Sequence, residues 1–179
     1  MKTVFLTAII LLSSIHAQAT INSYTVDEAA KKGLIKYRIK GKGGYIGPVV
    51  DFIVENLSEE SFYLKVEAGR KLNSTNDLLQ DIVVVQPKSY YLSGKNQTAF
   101  LVTGMSCEAH KAVPGMWANF ELGAMADGEL MKMVTYINTH SYWTDAAAQK
   151  AIWCITDNTS IGSIHSSDTL VERQLKQVV

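Results

Sequence analysis

Apolar and polar positions alternate along residues 34–40. Ile35, Tyr37 and Ile39 fall on one side, and Lys36, Arg38 and Lys40 on the other. A two-residue period predicts a half-buried β-strand. Gly41, Gly43, Gly44, Gly47 and Pro48 then predict a loop. Residues 49–57 are apolar on both faces for much of their length and form the next strand. Ser58-Glu59-Glu60 reads as a short turn. Phe62, Leu64 and Val66 then alternate with Tyr63, Lys65 and Glu67, so these two runs are expected to pair as a hairpin. Residues 71–79 are polar and turn-rich. The β-branched run 82–85 suits a strand buried on both faces, closed by Pro87. Residues 98–103 form a further strand that leads through Gly104 to Cys107.

The period then changes from two to nearly four. Leu130, Met131, Val134 and Ile137 follow Asp127 at helical spacing, with Asp127 as the cap. A second helix starts after Thr144 or Asp145 and carries an apolar stripe of Ala148, Ala151, Ile152 and Ile155. Ser167 or Asp168 caps a last short helix with Leu170, Val171, Leu175 and Val178. Short strands with antiparallel turn signals, followed by helices, predict an α+β fold. The expected architecture is an antiparallel immunoglobulin-like β-sandwich followed by two or three C-terminal helices.

The first nineteen residues change where this fold is expected to work. Lys2 supplies a positive start, residues 4–12 are apolar except Thr7, and Ala17-Gln18-Ala19 has the small-x-small form of a signal-peptidase site. Residues 1–19 therefore read as a signal peptide, and residues 20–179 as one secreted β-rich domain, periplasmic, extracellular or at the cell surface. No later stretch reaches the roughly 18 apolar residues of a transmembrane helix. The chain balances 17 basic against 17 acidic residues. Loss of Lys2 leaves a net charge near −1, which excludes whole-molecule attraction to nucleic acid or an anionic membrane.

Export also bears on Cys107 and Cys154. An even count in an oxidising compartment makes them a disulfide candidate. Such a bridge would close a loop of roughly 50 residues and stabilise by about 4 kcal/mol. On the second helix, Gln149, Trp153 and Thr156 share a face. Cys154 lies roughly 140° round from Gln149. One cysteine docked on this helix therefore meets Gln149 or Cys154, but not both.

Gln149-Lys150-Ala151-Ile152-Trp153, with Cys107 upstream, resembles the Gln-x-Ala-Ile-Trp segment of thioester domains in bacterial surface adhesins. The resemblance implies a β-rich domain in which Cys107 supplies the thiol and Gln149 the acyl partner of an internal thioester. It implies adhesion by covalent capture of an amine on a surface. The chemistry is displacement of ammonia from a carboxamide by a thiolate, driven by proximity and shelter from water.

The remaining candidates are binding residues. Lys36, Arg38 and Lys40 form a basic strand face suited to an acidic polysaccharide, or else a solvated face. Trp117, Tyr142 and Trp143 fall in expected loops, where exposed rings suit a sugar or protein partner. His110 near Cys107 lacks an orienting residue, and the histidines lack metal-ligand spacing. No metal, cofactor or catalytic set is expected. Asn56, Asn73, Asn96 and Asn158 each begin an Asn-x-Ser/Thr glycosylation sequence. The reading is a secreted, non-enzymatic binding or extracellular structural module whose surface, glycan or protein ligand is unknown. The alternative is a thioester-forming adhesin domain using Cys107 and Gln149.

Overall fold

Strand pairing departs from a sandwich at once. In the computed structural model, which describes residues 21–179, Ile35–Lys42 (β2) pairs with Ile46–Asn56 (β3) on one side and with Met116–Met125 (β9) on the other. The expected export segment at 1–19 lies outside the described residues. The ring runs on from β3 to Gln97–Ser106 (β8), Ile82–Val84 (β6), Arg70–Ser74 (β5) and back to β9, every pair antiparallel. The six strands form a closed barrel. This overturns the immunoglobulin-like sandwich. Alternation gives each strand one buried face, a property that sandwiches and barrels share. Only the long-range β2–β9 contact decides between them.

The expected hairpin is also wrong. β3 stays in the barrel, while Phe62–Val66 (β4) leaves it. β4 lies in a separate three-stranded sheet, parallel to Ser23–Thr25 (β1) and antiparallel to Lys88–Leu92 (β7). Asn56 marks the departure. It is fully buried, and its Nδ2 donates to the carbonyls of Glu60 (2.9 Å), Leu92 (3.4 Å) and Ser93 (3.1 Å). Its Oδ1 accepts from the Ser58 N–H (2.9 Å) and hydroxyl (2.8 Å). This knot redirects the main chain between sheets, and it removes Asn56 from reach of a glycosylating enzyme.

A short helix, Val26–Lys31 (α1), escaped the apolar pattern. Its signal is the Thr25-x-x-Glu28 capping box, in which each side chain bonds the other's main-chain N–H. Three later helices cover one side of the barrel: Gly128–His140 (α2), Ala146–Thr156 (α3) and Thr169–Val178 (α4). Asp127, Asp145 and Asp168 occupy their N-caps. The Asp145 and Asp168 carboxylates accept from first-turn N–H groups, whereas Asp127 makes no side-chain cap bond.

β6 explains how two cores share one wall. Ile82 and Val84 pack with Phe52, Leu72 and Val102 in the first core. Val83 and Val85 face the other way, onto Met105, Ile152 and the helices. A β-branched run buried on both faces is the seam between barrel and helical layer.

Candidate functional site

α3 docks on the barrel through the last residue of β8. Gln149 and Trp153, one turn apart, both reach Ser106. The Ser106 N–H donates to Gln149 Oε1 (3.0 Å), and Gln149 Nε2 donates to the Ser106 carbonyl (2.9 Å). Trp153 Nε1 donates to the Ser106 hydroxyl (2.8 Å). The Ser106 N–H also meets the Tyr45 carbonyl (2.8 Å), and the Tyr45 ring stacks on Trp153. The Lys150 ammonium covers the Trp153 ring at 4.6 Å. Ser106 and Gln149 are essentially inaccessible to solvent. Nothing in the sequence pattern marks Ser106, because its importance comes entirely from its partners.

Cys107 follows directly. Its N–H donates to the Asp81 carbonyl, and its own carbonyl accepts from the Thr156 hydroxyl. The thiol is buried in the second core. Burial, reinforced by the Glu108 carboxylate, pushes its pKa from 9.0 up to about 12. It is a protonated thiol at neutral pH.

Cys154 turns away from this corner. Its thiol donates to the Ser160 carbonyl and accepts from the Thr159 hydroxyl, both at 3.5 Å. Both cysteines are buried and free, so the expected bridge is not formed. Helix periodicity is the reason: Gln149, Trp153 and Thr156 take the face toward Ser106 and Cys107, and Cys154 lies round the helix from them. His110 is not directed to Cys107 either. Its Nδ1 meets Asp157 Oδ1, and Asp157 Oδ2 accepts from the Ala109 and His110 N–H groups.

The aromatic candidates separate. Trp117 is exposed at the start of β9, with φ at 71°. That conformation is costly for a bulky residue. Gly41 of β2 allows the chain at Gly115 to approach closely, because a Cβ there would meet the Gly115 carbonyl at 2.6 Å. Tyr142 and Trp143 are half-buried instead, against the second core, and Trp143 Nε1 donates to Asn138. Sequence reasoning missed Leu78 and Met116. With Trp117 they are the three most exposed large apolar side chains among the described residues, at 75%, 67% and 65%. The Leu78 segment is tied to the chain that precedes β9: the Gln80 N–H donates to the Ala112 carbonyl and the Ala112 N–H to the Leu78 carbonyl.

The basic strand face is largely balanced in register. Lys36 lies opposite Glu55 and Lys40 opposite Asp51, while Arg38 faces Ile53. Among the described residues no helix is long and apolar enough to cross a membrane, and no cluster of metal-ligating side chains occurs. No protein-family model, curated protein or solved structure matches this chain.

Proposed function

We propose that this chain is a non-enzymatic extracellular binding module. The observation that supports this reading is the exposure of Leu78, Met116 and Trp117, with the Leu78 segment held by main-chain bonds to the chain that leads into β9. Exposed apolar side chains on a fixed base, one of them in a strained conformation, are a cost to a free domain that a partner's surface repays. The signal-peptide pattern of residues 1–19 supports a partner outside the cytoplasm. The test is retention of the purified protein on immobilised matrix proteins and glycans. Wild type should be held by at least one surface, and the double variant Leu78→Ser/Trp117→Ser should not. Retention unchanged in the variant, or no retention of wild type on any surface, rejects the reading.

A second reading is favoured by the Gln149 carboxamide. It is buried and clamped to the residue before Cys107, with its carbonyl oxygen already polarised by the Ser106 N–H. In the thioester alternative, Cys107 Sγ bonds to Gln149 Cδ, the Cδ–Nε2 bond breaks, and ammonia leaves with the thiol proton. A surface amine then attacks Cδ, forming an amide and releasing the Cys107 thiol. Intact mass decides: a deficit of about 17 mass units, lost on methylamine addition and absent from Cys107→Ala, establishes the bond. Full mass in wild type, with no methylamine adduct, rejects it and leaves Gln149 as a structural clamp.

A further inference from the structure

The barrel is closed by a short seam. β2 and β9 pair at Ile39–Phe120, Lys40–Asn119 and Lys42–Met116, with a bulge between the last two. From Arg38 back to Ile35, β2 has no partner on that side, while β9 continues along β5 through Glu121–Asn73 and Leu122–Leu72. The strands part into a groove of about 530 Å³, with Arg38 and Lys40 on one bank and Asn119 and Glu121 on the other. A smaller hollow of about 120 Å³ adjoins it, sharing Tyr37 and Arg38 and adding Gln97.

Arg38 lines both spaces and is the uncommitted charge. Lys40 donates to Asn119 Oδ1. Lys36 and Lys40 have acids directly across the strand pair, whereas Arg38 has Ile53. The one arginine ion pair among the described residues is Arg70–Glu67. A guanidinium fork without an ion pair among the described residues suits a planar carboxylate held by two parallel hydrogen bonds. The uncharged polar groups lining the two spaces are the Asn119 and Gln97 amides and the Tyr37 and Thr75 hydroxyls, which suit neutral hydroxyls. The Lys36 and Lys40 ammonium groups and the Glu55 and Glu121 carboxylates line them as well. Asp51, Glu55 and Glu121 offset Lys36, Arg38 and Lys40, so a dense polyanion gains nothing here and one negative charge per site is favoured.

We propose that the β2–β9 seam binds an acidic saccharide of the uronic-acid class, with its carboxylate on Arg38 and its hydroxyls on Asn119, Glu121 and Gln97. This site is separate from the Leu78–Trp117 loops and from the Ser106 corner, and stands or falls independently of them.

Amide NMR titration of the purified protein with oligogalacturonate tests it, with a neutral galacto-oligosaccharide and inorganic sulfate in parallel arms. Shifts should centre on Arg38, Asn119 and Glu121. Arg38→Ala should weaken binding roughly tenfold or more, and Arg38→Lys by less, since an ammonium keeps the charge but loses the fork. Equal binding of the neutral sugar, equal binding of sulfate, shifts centred elsewhere, or no shifts at millimolar sugar each overturn the proposal. Unchanged spectra away from the groove show that the variants fold.

Discussion

Asn56, Gln80 and Gln149 are the buried carboxamides among the described residues, and Asn56 and Gln149 are used in opposite ways. Asn56 is saturated: three carbonyls take its amide protons, and two donors reach its oxygen. Gln149 makes one bond through each of its polar atoms, both to Ser106. A buried amide at full capacity is a structural joint, and replacing it leaves many main-chain groups unpaired. A half-used amide, with one bond through each polar atom, is a lighter joint between one helix and one strand end. The contrast separates a residue that redirects the main chain between sheets from one that docks a helix.

The predictions press on that contrast. Trp153→Ala removes both the indole packing and the bond to the Ser106 hydroxyl, and should cost about 4 kcal/mol in urea unfolding. A loss below about 1 kcal/mol would show that α3 does not depend on this corner. Asn56→Ala should cost about 3 kcal/mol by the same measurement, because the partners left behind are buried carbonyls and an N–H. Gln149→Ala should cost less, about 1–2 kcal/mol, since only the Ser106 N–H and carbonyl lose partners and the N–H keeps Tyr45. If Gln149→Ala proves costlier than Asn56→Ala, the two amides have been assigned the wrong way round.

Alkali gives a graded effect. The Cys107 pKa is higher in the folded chain than its ordinary 9.0, so the stability present below pH 9 is lost as pH rises toward about 12. The unfolded chain releases the proton first, and about 1 kcal/mol should be lost by pH 10. Cys107→Ala should flatten that slope in denaturation curves from pH 8 to 10. An unchanged slope would assign it to other groups. Trp117→Ser should change stability by no more than about 0.5 kcal/mol, because the ring is exposed and its backbone strained. A larger loss would make Trp117 a packing residue and remove the main support for a binding surface.

The sequence by itself determined some of the local elements, while β1, α1, β5, β7 and β9 escaped it. Alternation marked β2 and β4, a run apolar on both faces marked β3, cap residues marked the starts of α2, α3 and α4 (with Thr144 and Ser167 beside the aspartates at the last two), and a β-branched run marked the doubly buried β6. These features depend on side-chain period and on groups a few residues away. Helix periodicity likewise told that Gln149 and Cys154 cannot share a partner. Tertiary structure alone decided the rest. That β2 meets β9 across most of the chain, closing a barrel, depends on pairings with no local signature. That β4 abandons β3 depends on Asn56 finding carbonyls more than thirty residues away. Ser106, Leu78 and Met116 gained their meaning in the same way. Burial, exposure and partnership are properties of the folded surface, and an amino-acid pattern specifies them only once distant strands have been brought together.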